Sequence, residues 1–104
     1  MIFVAGQLGM ETVGLKRRLV RGGIMAQIRQ VFKNIETVLA EAGVNLDHVA
    51  TMSVYLKDIK DLEKFCEVRN AVFKRDFPAS TSVQVSEFAV KGALVEVNVT
   101  AVVQ

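Results

Sequence analysis

The sequence has one cysteine, one proline and no tryptophan in 104 residues. A single cysteine excludes a disulfide within the chain, which is typical of a reducing compartment, so we expect a cytoplasmic location. The scarcity of proline and a hydrophobic content of 51% exclude a disordered chain. Uninterrupted apolar runs extend for only a few residues, so no membrane span is predicted.

Residues that bind metals or act as nucleophiles are scarce. His48 and Cys66 are the only histidine and cysteine, which disfavours a metal site. Cys66 could act as a nucleophile only if His48 lay beside it as a base. The simpler interpretation is that Cys66 is a small apolar residue within a helix. The sequence has no phosphate-binding loop and no dinucleotide fingerprint. We therefore predict neither a metal nor a cofactor.

The net charge is +2, and its densest cluster is Lys16, Arg17 and Arg18 with Arg21. Such cations protect an exposed loop or edge strand from pairing with other strands. The alternative is a contact with phosphate or nucleic acid. No aromatic residue lies among the cations, which disfavours a stacking surface for single strands. We predict the first interpretation and regard nucleic acid as an unlikely partner.

Two segments have helical periodicity. Between Ile24 and Ala42, apolar residues recur at spacings of three and four, and Gly43 then ends the predicted helix. A second helix is predicted from about Leu62 to Arg75, with Asp61 as its cap. Each helix has one apolar stripe, so both are expected to cover a flat surface, most simply a sheet.

The remaining apolar segments predict strands, with a loop between the first two. No repeat or linker divides the chain, so residues 1–104 are predicted to form a single domain. The element order favours an α+β fold, a two-layer sandwich of one mixed sheet with two helices on one face. Valines on one side of the last strand suggest that the second face is covered too, as a trimer would do. The predicted strands are 1–5, 15–20, 49–56, 82–88 and 94–103.

Several segments occur in an order and spacing that match one known family. They are Phe3-Val4-Ala5-Gly6-Gln7, the helix from Gln27 to Gly43, Val54–Asp58, Phe77-Pro78-Ala79 and Lys91–Val97. Together they resemble the YjgF/Rid family of reactive intermediate deaminases over essentially the whole chain. The resemblance implies a chorismate-mutase-like fold, a homotrimer and a small-molecule ligand in each cleft between subunits. It also implies hydrolysis of enamines and imines released by pyridoxal-phosphate enzymes.

The resemblance also implies site residues. Glu96 matches the carboxylate that would place the attacking water, and a valine-rich strand would raise the pKa of that carboxyl. Gly6 and Ser82 match positions whose backbone groups face the substrate nitrogen. The alternatives are that Glu96 points to solvent from the polar face of an edge strand, and that Gly6 is an ordinary turn glycine.

Ser80 departs from the family pattern, because an arginine holds the substrate carboxylate at that position. A charge-assisted hydrogen bond contributes roughly 1.5–3 kcal/mol, against about 1 for a neutral one. Losing the two hydrogen bonds from a guanidinium to the substrate carboxylate would weaken the binding of 2-imino acids about 10- to 1000-fold. Arg69 and Lys91 are cations that would have to supply the charge instead. Cys66 replaces an asparagine, Ala5 replaces a serine, and the chain starts after the strand that carries the family's Gly-Pro-Tyr segment.

Functions from different classes follow from these residues. The first is hydrolytic deamination of reactive enamines or imines, with Ser80 favouring a ligand without a carboxylate. The alternative is a non-catalytic trimer that binds a small metabolite in the same cleft. A weaker third is an RNA-binding or ribonuclease role of the translation-inhibitor type, and the cluster from Lys16 to Arg21 is its only support in this sequence.

Overall fold

Two helices pack on one face of a four-stranded sheet in the computed structural model, which describes residues 1–73 and 77–103. The predicted α+β architecture is confirmed. Short 3₁₀ turns lie at Leu46–His48, before a strand, and at Ile59–Asp61, before the second helix. The elements are β1 Ile2–Leu8, β2 Met10–Val13, β3 Lys16–Leu19, α1 Gly23–Glu41, β4 Val49–Leu56, α2 Leu62–Val72, β5 Ala79–Gln84 and β6 Val95–Ala101.

The sheet is mixed, with the strand order β1-β6-β4-β5. β6 is antiparallel to both β1 and β4, whereas β5 is parallel to β4. β4, α2 and β5 therefore form a crossover unit, in which the helix runs back along the two strands it joins. β2 and β3 form a separate hairpin. Since β6 lies inside the sheet, the interpretation of Glu96 as an edge-strand residue is wrong.

The core lies between the helices and one face of the sheet. Phe32 of α1 joins the two helices, with its ring centroid 5.5 Å from Phe65 and 5.9 Å from Phe73. Burying each such side chain contributes about 1.5–3 kcal/mol. The main sheet and helix contributors are Ile28, Val31, Ile35, Leu39, Val54, Leu56, Val68, Val95, Val97 and Val99.

The valines of β6 correct one prediction about the second face of the sheet. Val95, Val97 and Val99 are all buried beneath the helices. They therefore give no reason for the other face to be covered. Because side chains alternate along a strand, the other face carries Glu96, Asn98 and Thr100.

Several predicted boundaries differ from the structure. β1 was predicted to end at residue 5, but it continues through Gly6 to Leu8, with an irregularity in its pairing with β6. β2 was not predicted. β5 begins at Ala79, three residues earlier than predicted, and ends at Gln84. Val83 is 42% exposed and therefore lies outside the core.

α2 begins at Leu62 as predicted, but its cap differs from prediction. The Asp61 side chain makes no capping hydrogen bond, whereas Asp58 accepts one from the backbone N–H of Lys60 at 2.9 Å. The reason is the 3₁₀ turn before the helix, which moves the side-chain cap to the start of that turn. α2 is described to Val72, and the predicted end at Arg75 lies outside the described residues. No helix within the described ranges is long and apolar enough to cross a membrane.

Gln27 connects α1 to the segment that leads into β6. Its side chain is 4% exposed, donates to the carbonyl of Gly92 at 3.2 Å and accepts from the N–H of Leu94 at 2.8 Å. Gly9 packs against it so closely that an added Cβ would lie 2.8 Å from the Cα of Gln27. This amide therefore sets the position of β6, and with it that of Glu96, relative to α1.

We expect Gln27→Ala to lower the free energy of unfolding by about 1–3 kcal/mol, because it removes two part-buried hydrogen bonds, to the Gly92 carbonyl and from the Leu94 N–H. Arg29→Ala, at an exposed position of the same helix, should change it by less than about 0.5 kcal/mol. Urea denaturation of the two variants and the parent measures both values. Equal losses in the two variants would show that the amide contacts contribute nothing.

Candidate functional site

Glu96 projects from the sheet face opposite the helices, which we call the open face. It is half-buried, and its neighbours across the adjacent strands are Leu8 in β1 and Tyr55 in β4. The valines of β6 point the other way, so they do not surround the carboxylate as the sequence suggested. Glu96 is instead flanked by one apolar side chain and one phenol.

Gly6 lies next to Glu96 on the same face. It adopts a left-handed conformation, with φ of 57°, where the register of β1 shifts between Val4 and Gln7. Its backbone N–H donates to Oδ1 of Asn98, which is two residues beyond Glu96 on β6. With that donor engaged, the carbonyl is the polar backbone group that Gly6 can offer to a ligand. Gly6 is therefore more than a turn glycine, since it lies within a strand.

Asn98 is a site residue that the sequence reasoning missed. The one available signal was its position, because residues 96 and 98 of a strand share a face. The shift in β1 that brings the N–H of Gly6 to this side chain depends on the pairing of two strands that are distant in sequence. An Asn in a strand gives no indication of such a partner.

Ser80 and Ser82 lie on the opposite side of the sheet from Glu96. In the parallel pairing of β4 with β5 they are opposite Met52 and Val54, which are both buried beneath the helices. Gln84 points to the same side of β5. Its Oε1 accepts a hydrogen bond from the N–H of Ile59, in the turn before α2, at 2.9 Å. The two serines therefore point to the helix side of the edge strand.

Two contacts mark the ends of the helix side of β5. At one end the guanidinium carbon of Arg69 lies 5.3 Å from the ring centroid of Phe77, which precedes the strand. At the other end Gln84 contacts the turn before α2. Ser80 and Ser82 lie on the strand between these contacts, and we call this row of two serines the β5 wall.

The hypothesis of a nucleophilic pair is not supported by the geometry. His48 takes part in a cap, accepting at Nδ1 from the backbone N–H of Asn45 at 3.2 Å, so it acts there and not as a base for Cys66. Among the described residues, no group of three or more potential ligands could hold a metal ion.

The basic cluster does not form one surface. Arg18 is paired with Glu11 at 3.1 Å across the hairpin. Because side chains alternate along β3, Lys16 and Arg18 lie on one side of the hairpin and Arg17 lies on the other. This arrangement favours the protective interpretation of the charges over a phosphate-binding one.

The four candidate residues thus form two separate groups. Gly6 and Glu96 lie on the open face, whereas Ser80 and Ser82 lie on the helix side of the edge strand. β4 separates β6 from β5, which makes the two strands about 10 Å apart at a spacing of about 4.8 Å per strand. The two pairs are therefore not brought together within a single chain.

Comparison with known proteins identifies similar sequences and structures. The family model described as endoribonuclease L-PSP matches residues 1–103. A RutC family protein of Pyrococcus abyssi is 38% identical over 96% of this chain and 76% of its own length. The human 2-iminobutanoate/2-iminopropanoate deaminase is 33% identical over 97% of this chain and 72% of its own. The crystal structure of RidA from an Antarctic Psychrobacter superposes with a TM-score of 0.84 at 34% identity, covering 93% and 76% of the two chains.

Asn98→Val should expose the amide of Gly6 to faster hydrogen exchange, by about fivefold for a hydrogen bond worth about 1 kcal/mol. Asn98→Asp keeps an acceptor at the same place and should preserve the protection. The measurement is amide exchange at Gly6 by NMR, with the amide of Val99 in the sheet as an internal reference. An unchanged rate in Asn98→Val would mean that this side chain does not hold the β1 irregularity.

Proposed function

Because the chain belongs to the YjgF/Rid family, we propose that it hydrolyses reactive enamine or imine intermediates in a cleft between two copies of itself. The observation that carries this proposal is the separation of the candidate residues by the sheet. Glu96 and Gly6 belong to one wall of such a cleft, and the β5 wall of a neighbouring copy, with Ser80 and Ser82, forms the other. The human relative, named as an imine deaminase, supports the reaction class.

The assembly we propose is a homotrimer in which the open faces pack against neighbouring copies. In the single chain, this face leaves Phe3 73% exposed and Val83 42% exposed, with Tyr55 half-buried between the strands that carry them. Removing such apolar surface from water favours association. Cyclic symmetry then supplies every cleft with both walls, because each copy contributes one wall to each of two clefts.

In the proposed mechanism, Glu96 moves protons. Its carboxylate accepts a proton from water as the oxygen attacks the carbon of the C=N bond, whose π electrons pass to nitrogen. The carboxyl then returns a proton to the nitrogen of the tetrahedral intermediate. The same carboxylate then takes the hydroxyl proton of this intermediate and passes it to the amino group as the C–N bond breaks, so ammonia leaves and the carbonyl product forms. The carbonyl of Gly6 accepts from the N–H of the substrate and so orients the electrophilic carbon. This chemistry requires no cofactor.

Two other functions were compared with this one. A non-catalytic trimer that binds a small metabolite would use the same cleft, so only an activity measurement separates it from a deaminase. The RNA-binding role has less support, because the hairpin cations lie on different sides and Arg18 is paired with Glu11. A cytoplasmic setting belongs to the proposal, since imines of this kind arise there from metabolic enzymes.

Glu96→Gln should abolish the acceleration of imine hydrolysis, with a loss of about 100- to 10,000-fold, the usual contribution of a general acid–base group. Imines are generated in the assay from several amino acids by an amino-acid oxidase and trapped with semicarbazide. Glu36→Gln removes an exposed carboxylate from α1 and should retain full activity. If the parent chain accelerates hydrolysis of none of these imines, the deaminase proposal fails and the binding alternative replaces it.

Ser53→Arg should dissociate the trimer, because it places a charge without a partner on the open face beside Asn98. Thr37→Arg, on the exposed side of α1, is the matched control and should leave the assembly intact. Light scattering on a sizing column gives the mass, which should be three chain masses for the parent and the control. A parent that is monomeric at micromolar concentration would refute the shared cleft.

A further inference from the structure

The hairpin formed by β2 and β3 ends in an exposed apolar tip. Its two-residue turn contains Leu15, which is fully exposed, and Val13 at the end of β2 is 46% exposed. Lys16 and Arg17 follow the turn, and neither has an ion-pair partner among residues 1–73 and 77–103. We propose that this tip docks into a cavity beside α2 of a neighbouring copy of the chain.

The base of the hairpin is fixed to the rest of the chain, whereas the tip projects from it. The side-chain amide of Asn34 in α1 donates to the carbonyls of Leu8 and Met10, at 3.0 and 2.9 Å, where β1 leads into the hairpin. The N–H of Val20 donates to the carbonyl of Gly9 at 2.9 Å and so ties down the end of the second strand. Because the hairpin is ordered before it meets a partner, docking costs little conformational entropy.

The cavity beside α2 has an apolar floor and an acidic rim. Its volume is about 950 Å³, and it is open to solvent. The floor includes Leu62 and Cys66, which are half-buried, and Ile59, which is 41% exposed. The rim includes Glu63 and Glu67, which are both exposed. Since residues four apart are neighbours on a helix, the apolar pair and the acidic pair form two parallel rows along α2.

The tip and the cavity are complementary in polarity and in charge. The tip carries two cations, Lys16 and Arg17, beside its apolar residues. The lining of the cavity contains two carboxylates and one lysine, Lys60, so its negative charges outnumber its positive one. Removing Leu15 and Val13 from water favours contact with the floor, and the opposite charges at the rim fix the orientation of the hairpin.

The path of the chain brings these two surfaces to the same boundary between copies. The hairpin continues directly from β1, the strand that carries Gly6. The cavity adjoins the edge strand β5, because Ile59 in its lining donates its N–H to the side chain of Gln84 at 2.9 Å. Where Gly6 of one copy faces the β5 wall of the next, the hairpin of the first copy therefore lies near α2 of the second. This placement rests on the shared cleft of the proposed function.

A disulfide between copies tests the contact, because Cys66 is the only cysteine of the chain and lies in the cavity. In the presence of copper phenanthroline and air, Leu15→Cys should give covalent dimers and trimers as the main products on a non-reducing gel. The parent should remain as single chains, and so should Leu15→Cys combined with Cys66→Ser. Thr37→Cys, at an exposed position of α1, is the matched control and should leave Cys66 unlinked.

Charge reversal tests the same contact without a new bond. Lys16→Glu with Arg17→Glu should raise the dissociation constant of the assembly by about 10-fold, since attraction at the rim becomes repulsion. Glu63→Lys with Glu67→Lys should have the same effect. The four changes together exchange the signs and should return the constant to within about threefold of the parent. Lys33→Glu, on the exposed side of α1, is the control and should leave it unchanged. Sedimentation equilibrium measures these constants.

The docking requires both the link to Cys66 and the recovery in the fourfold variant, so the absence of either overturns it. The tip would then contact another surface or another partner. An unlinked parent trimer that hydrolyses imines would overturn the docking and leave the proposed function intact. A trimer that passes both tests but accelerates the hydrolysis of no imine would confirm the docking and refute the deaminase proposal.

Discussion

The alternation of side chains along β6 is the constraint on which the rest of the structure depends. Val95, Val97 and Val99 face the helices and form the part of the core that β6 contributes. The residues between them are thereby directed to the open face, and Glu96 and Asn98 are two of these. A shift of one residue would bury the carboxylate and expose the valines. The stability of the core and the placement of the candidate base thus depend on the same register.

The crossover from β4 through α2 to β5 has an equally direct consequence. It places α2 on the helix side of the sheet, the side to which Ser80 and Ser82 of the edge strand also point. The sheet lies between these serines and Glu96. Under the proposed function, a single chain therefore has two incomplete walls of a site, and association of copies completes the site and covers Phe3 and Val83.

Strong periodicity made much of the fold predictable. The stripe of α1 and the limits of β4 were predicted to within a residue or two, because their apolar residues must all reach one core. β2 was missed since a short polar hairpin has no such pattern. The family resemblance identified Glu96, Gly6, Ser80 and Ser82, but not the faces on which they lie, which depend on strand pairing. The contacts of Asn98 and Arg69 depend on distant segments, so no local signal reveals them.

The most direct test of the central claim is complementation in mixed trimers. Glu96→Gln and Ser82→Trp chains are each expected to be inactive in imine hydrolysis alone, because one lacks the candidate base and the other blocks the β5 wall. They are unfolded together, refolded together and assayed with an imine. If a cleft takes Glu96 from one copy and the β5 wall from its neighbour, some clefts of a mixed trimer contain both intact walls, and activity returns. If both residues of a cleft came from the same chain, every cleft would carry one defect. A mixture as inactive as its components would then contradict the shared site.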